Sequence, residues 1–283
     1  MAKLAFLTRI LAGASVGMCS LAFAWTASAQ VPAGTPDFSS ANRAWLRVGI
    51  PFLDPVSGKI LGEDPEHPFS TRGVDAQGRD VSGTPSSPDW KNKNLKPWAA
   101  QKLKEYADEA QKGKIRITAS ASCWPGGTPG QMIFNEPLFL LQSPDKITLL
   151  YQRDHFVRHI YMNVPHTKNP KPSWFGESVG HYEGDELVVD TTGFNDKGEL
   201  DNWGTPHTEA LHVTERYRMS ADGKTLRVNF TVEDPKTFNQ PWTGVAVYRQ
   251  TTGPMIEAVC SENNFDFFIG ESYPVPEAKT ADF

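Results

Sequence analysis

SVGHYEGDELVVDTT, Ser178 to Thr192, reads as strand, tight turn, strand. Gly184 and Asp185 suit a two-residue hairpin turn, and Leu187 and Val189 share the parity of a core face. The same pattern continues on both sides. PLFLLQS, KITLLYQR and FVRHIYMN, from Pro137 onward, are three strand-sized runs. EALHVTERYRM and KTLRVNFTVED form a hairpin around SADG, and GVAVYRQ and MIEAVCSE form another. In TLRVNFTVE, Leu226, Val228, Phe230 and Val232 point one way, while Arg227, Asn229, Thr231 and Glu233 point the other. About nine antiparallel strands in meander order result, with turn signals every 8 to 14 residues. Closing such a meander removes its exposed edges. The expected fold is therefore a mostly β, lipocalin-like barrel, with a two-sheet β-sandwich as the alternative.

The ends of the chain read differently. Lys3 and Arg9, the apolar run from Ile10 to Trp25 and the small residues Ala27 to Ala29 have the form of a bacterial signal peptide over residues 1–29. That predicts a periplasmic or secreted protein with Gln30 at its start. Residues 30–114 are rich in Pro, Gly, Asp and Ser and hold no hydrophobic period, so they predict ordered loops. Trp45, Leu46, Phe52, Phe69 and Trp90 are their apolar anchors. A helix is expected near residues 98–112, opened by Pro97 and closed by Gly113. The barrel is expected over 115–270, followed by a tail at 271–283.

Charge and cysteine usage narrow the function. Without Lys3 and Arg9, 26 basic residues face 33 acidic ones, a net charge of −7. Nucleic acid and anionic membranes reward basic patches, so neither is an expected partner. After the signal, no apolar run is long enough to cross a bilayer as a helix. Cys123 and Cys260 remain in an oxidising compartment and predict a disulfide from the start of the β region to its last strand. Homo-oligomerisation is left open.

Nucleophile, zinc-protease and phosphate-loop motifs are absent from the sequence. No metal site is assigned: His155 and His159, placed on one strand, would lie about 13 Å apart. His207 and His212, with Glu209 between them, have no established ligand spacing. On the strand after Glu209, His212, Thr214, Arg216 and Arg218 face one way; Leu211, Val213, Glu215 and Tyr217 face the other. The first set is either a solvated face or a proton-transfer and anion-binding site inside the barrel. Arg158 shares a face with Phe156, Ile160 and Met162, and Tyr161 lies opposite. Such an Arg pairs with a ligand's carboxylate or with an acid of the protein such as Asp190 or Glu215.

DHFVRHIYMN, then PSWFGESVGHYEGDELVVDTTGFND, GTPHTEALHVTERYR, VEDPKTF, QPWT and CSENN together resemble an exported bacterial family. Its pattern runs R-x-I-Y, W-x-G-x-S-x-G-x-x-E-G-D-x-L-V-V-D-T-x-G-F, P-H-[ST]-E-x-L-H-x-x-E-R and P-W-T. The likeness spans Cys123 to Asn264. Some relatives resemble cofactor-free decarboxylases or lyases of phenylcoumaran dimers derived from lignin. The resemblance therefore implies a carbon–carbon lyase with a small aromatic substrate and no cofactor. Two stretches depart from the pattern. Asn163, Val164 and Pro165 precede His166 where the family has Asp-Gly-Arg, and His181 and Tyr182 stand where it has Arg-Trp.

That chemistry needs an acid, a base, a cation for a carboxylate and an aromatic slot. His207 or His212 is assigned to proton transfer and Tyr161 to the second acid/base role. Arg158 or Arg216 would hold the anion. Trp174, Phe194 and Glu209 would contact substrate. A non-catalytic barrel carrying an aromatic or apolar ligand would need the same pocket without the acid and base.

Overall fold

The computed structural model describes residues 34–39, 43–49, 52–67, 87–112, 122–262, 265–266 and 271–272. The expected signal segment, Phe69 and Gly113 lie outside them.

Nine strands close into one barrel: β1 (Ala44–Arg47), β2 (Leu138–Gln142), β3 (Lys146–Tyr151), β4 (Val157–Met162), β5 (Glu177–Glu183), β6 (Glu186–Thr192), β7 (His212–Met219), β8 (Thr225–Glu233) and β9 (Trp242–Thr251). The single helix of the described residues, α1 (Pro97–Gln111), carries Pro97 in its first turn. Its buried positions Ala99, Leu103 and Ala107 recur every four residues, which makes one apolar face. Trp98 Nε1 donates to the Lys236 carbonyl at 2.7 Å and docks the helix on the β8–β9 connection.

The hairpin of β5 and β6 turns at Gly184 and Asp185, where Gly184 has φ +60°. Alternation does the rest. Leu226, Val228, Phe230 and Val232 are all at most 2 % exposed and line the inside of β8. Each such burial stabilises the fold by about 1.5–3 kcal/mol. Trp45, Leu140, Leu149, Tyr217 and Tyr248 complete a filled interior rather than a hollow one.

Three features differ from the sequence expectation. First, β4 and β5 run parallel, with Tyr161 opposite Val179. Pro165, Pro170 and Pro172 lie between them. Proline cannot donate to a ladder, so the chain leaves the sheet and re-enters from the starting end. Second, the barrel begins before residue 115, because Ala44–Arg47 pairs with both β9 and β2 and closes the ring. Third, MIEAVCSE is not a strand. Both edges of β9 are already taken, by β8 and β1. The segment instead runs back along the surface to a short 3-10 turn at Cys260–Glu262.

The disulfide joins Cys123 to Cys260. It ties two loops rather than a strand. The Cys260 amide donates to Asp154 Oδ1 at 2.6 Å, and the Asp154 amide donates to the Ala258 carbonyl at 2.9 Å. In the C-terminal region, β10 (Phe265–Asp266) pairs with β11 (Glu271–Ser272) as a separate two-stranded sheet.

Strand directions give the barrel two unlike ends. One holds the tight turns of β2–β3, β5–β6 and β7–β8. The other receives the described residues of the 48–137 segment with α1, the 193–211 loop and the 234–241 loop.

Candidate functional site

Arg158 and Glu215 point into the barrel and are 2 % and 0 % exposed. Arg158 Nη1 donates to Glu215 Oε1 at 3.0 Å, and Nη2 donates to Glu215 Oε2. The guanidinium also reaches Ser178 Oγ at 3.0 Å and Thr191 Oγ1 at 2.9 Å, and Tyr217 donates its hydroxyl to Glu215 at 2.8 Å. Burial opposes the charge on Arg158, but the Glu215 carboxylate outweighs it and the guanidinium pKa is raised. Arg158 is thus paired with an acid of the protein, one of the two alternatives the sequence left. It holds a charge in the core that Glu215 already matches.

The other candidates face elsewhere, because neighbouring residues on a strand take opposite sides. His212, Arg216 and Tyr161 lie on the outer surface of the barrel. Arg216 donates to Glu183 at 2.8 Å and to Glu186 at 3.1 Å. Tyr161 is 47 % exposed. His207 is buried in the 193–211 loop, edge-on to the Phe194 ring at 6.2 Å, with Nδ1 donating to the Thr208 carbonyl at 3.2 Å. Burial lowers its pKa. Phe194 is a core residue, Trp174 packs on Trp124 at 5.3 Å, and Glu209 is exposed. The sequence-assigned set is therefore not brought to one point. Arg158 is inside, His207 is at the end, and His212, Arg216 and Tyr161 are outside.

A denser cluster surrounds His212. Its Nε2 bonds Asp190 Oδ1, and its Nδ1 bonds Glu233 Oε2 at 2.9 Å. Asp190 also bonds His166 Nε2 through Oδ2 at 3.1 Å. His166 Nδ1 bonds Glu177 at 3.1 Å, and Glu177 accepts from the Thr167 amide and hydroxyl at 2.7 and 2.8 Å. Glu177, His166, Asp190, His212 and Glu233 form one continuous chain. Partial burial would discharge His212, but Asp190 and Glu233 prevail and its pKa is raised. Glu177 is also desolvated, yet the Thr167 and His166 bonds hold its carboxyl below the ordinary range.

Sheet register explains the assembly. Asp190 lies opposite Thr214 and Glu233 opposite His212, so His212 sits diagonally between the two acids on the outer face. Tyr161, Val179 and Asp190 form one row across β4, β5 and β6. That spacing leaves Tyr161 about 10 Å from Asp190. His166 comes over this face from the β4–β5 crossover. Sequence reading missed His166, Glu177 and Glu233, and offered Asp190 to an arginine. The outward parity of Asp190 and Glu233 was readable; Glu233 meets His212 within the β7–β8 hairpin, whereas Asp190 reaches it across strands joined by the 193–211 loop.

Glu233 also borders a cavity of about 230 Å³ walled by Asp234, Pro235, Phe238, Gln240 and Pro241. Phe238 is shared with a smaller space of about 80 Å³ beside Leu61, Leu103, Asp201 and Trp242. Asp201 is buried there, which raises its pKa, and it accepts from the Thr205 hydroxyl and amide. Among the described residues, no group of three or more His, Cys, Asp or Glu is arranged to hold a metal ion. No helix of the described residues is long and apolar enough to cross a membrane.

No protein-family model matches the chain, and no curated protein matches it.

Proposed function

We propose that the protein is a cofactor-independent acid/base lyase for a small aromatic dimer of phenylcoumaran type, working where Glu233 meets the 230 Å³ cavity. The observation that carries this reading is the hydrogen-bonded chain from Glu177 through His166, Asp190 and His212 to that cavity. Imidazoles bridged by carboxylates store and deliver protons near neutral pH. Phe238, Pro235 and Pro241 offer apolar walls for an aromatic ring.

In a phenylcoumaran acid, Glu233, hydrogen-bonded to His212, takes the phenolic proton. The phenolate electrons form a quinone methide as the benzylic carbon–oxygen bond breaks. The departing aryl oxygen receives the proton held by Glu233. Cleavage of the carboxylate bond then sends its electron pair into the quinone methide, releasing carbon dioxide and leaving a stilbene phenolate. That phenolate takes one proton from solvent through the His212–Asp190–His166 chain. Each turnover thus consumes one proton. With a primary alcohol in place of the acid, formaldehyde leaves and the alcohol proton supplies the balance.

A carrier holding its ligand inside the barrel is less well supported, since Trp45, Phe230, Tyr217, Tyr248 and the Arg158–Glu215 pair occupy that space. The test compares turnover of a phenylcoumaran acid by the wild type, Glu233→Gln and His212→Gln. Removal of one acid/base group is expected to cost about 10²–10⁴-fold. Turnover unchanged in both variants would place the chemistry elsewhere.

A further inference from the structure

Three buried polar atoms without a hydrogen-bond partner line one cavity at the long-loop end of the barrel: Gln131 Nε2, Glu136 Oε2 and the Tyr248 hydroxyl. Gln131 and Tyr248 are each 2 % exposed. Their other contacts leave one polar atom of each unpaired. The Gly126 amide donates to Gln131 Oε1 at 2.9 Å, which sets the side-chain amide and leaves its NH₂ without a partner. Arg153 Nη1 donates to Glu136 Oε1 at 3.3 Å and leaves Oε2 as the second acceptor. The Tyr248 ring is held beneath the Arg47 guanidinium at 5.8 Å, and burial pushes its hydroxyl pKa up, so it stays protonated. An isolated buried polar atom is costly, and three around one space make a recognition surface rather than a packing accident.

We infer that this cavity recognises the hydroxyl group of a small neutral alcohol or phenol. A hydroxyl has one donor and two acceptor lone pairs. It accepts from Gln131 Nε2 and from the Tyr248 hydroxyl, and it donates to Glu136 Oε2. All three orphaned atoms are then satisfied by one group. An anion would be repelled by Glu136, and an ammonium would leave the Gln131 donor unmet. The space, about 10 Å³, is one hydroxyl in size and is open on one side. The carbon body then stays outside that space, against the partly exposed Phe134 and Arg153 at its rim. No residue is shared with the cavity at Glu233, so this site does not depend on the lyase reading.

Water carries the same chemistry, and the experiment separates the two. Isothermal titration of the full protein with phenol, and with toluene as the hydroxyl-free control, reads the site directly. The expected result is saturable phenol binding that toluene matches only about ten-fold more weakly or worse. Tyr248→Phe and Gln131→Leu should each weaken phenol about ten-fold or more while melting as the wild type does. If Tyr248→Phe does not fold, Gln131→Leu alone carries the comparison. Equal binding of phenol and toluene, phenol binding untouched in a folded variant, or no saturable binding at all would overturn the inference and leave a site for a single water.

Discussion

Glu215→Gln should be among the most damaging conservative substitutions in the chain. It keeps the volume of the side chain and removes only its charge. The wild-type carboxylate accepts both Nη atoms of Arg158 and the Tyr217 hydroxyl, at 0 % exposure. A glutamine turns one oxygen into an NH₂ that faces a guanidinium donor. The charge on Arg158, 2 % exposed, is then uncompensated. Breaking one side of a buried pair costs about 3–5 kcal/mol. Against a total stability of about 5–15 kcal/mol, that is a large share. With a urea m-value of about 3 kcal/mol/M, the midpoint should fall by roughly 1–1.7 M. The double variant Arg158→Met, Glu215→Leu should lose less than either single change. Ser178 and Thr191 still bond each other at 3.1 Å, and only the Tyr217 hydroxyl is orphaned, at about 1–3 kcal/mol. Urea unfolding of the wild type, Arg158→Met, Glu215→Leu and the double variant closes a double-mutant cycle. A loss under about 1 kcal/mol for Glu215→Gln, or a double loss equal to the sum of the singles, would refute a coupled buried pair.

Further outcomes are expected elsewhere. His212 has a folded pKa raised above the ordinary 6.5 by Asp190 and Glu233, despite the opposing desolvation. Its contribution to stability is therefore complete below about pH 6.5, and it is lost as pH rises through the folded value. The stability gap between wild type and His212→Gln, followed by urea midpoints across that range, should narrow toward alkaline pH; a gap that widens instead contradicts the assigned partners. Cys123 and Cys260 close a loop of 137 residues. Replacing both with Ser should cost up to about 5 kcal/mol by the chain-entropy relation, read as a lower melting temperature under oxidising conditions. Gly244→Ala would drive a Cβ into Phe230 Cζ, whose ring is braced by Phe52 and Trp242. Overpacking of that kind costs about 1–3 kcal/mol, so an unchanged melting temperature would mean that the ring has room to move.

Much of the barrel was legible because alternation is a local signal. The eight strands from Leu138 to Thr251 follow from residue parity and turn residues alone. β1 was not legible: four residues, Ala44–Arg47, are too few for a period to emerge from a Pro- and Gly-rich segment. Its identity as the closing strand depends on the free edges of β2 and β9, a fact of the whole fold. The reverse error, MIEAVCSE as a strand, has the same cause. Parity also separated His212 and Arg216 from Glu215 and Tyr217, but parity cannot say which side is the interior. The tie-breaker was packing. A strand that carries Val213 and Tyr217 on one face turns that face inward and takes Glu215 with it. The His212–Glu233 pairing belongs to the β7–β8 hairpin, but Asp190 was out of reach because the β6–β7 register spans the long 193–211 loop.

Acid/base lysis of an aromatic dimer is tested most directly by incubating the chain from Gln30, treated with a chelator, with phenylcoumaran acids and alcohols. Products are followed by mass-resolved chromatography and, with the released carbon dioxide swept out before it hydrates, proton uptake by a pH-stat. The expected result is a stilbene with loss of carbon dioxide from the acids or formaldehyde from the alcohols, one proton consumed per acid converted, and loss of both signals in Glu233→Gln. Conversion that persists at the full rate in Glu233→Gln, or no conversion of any member of the panel, would contradict it.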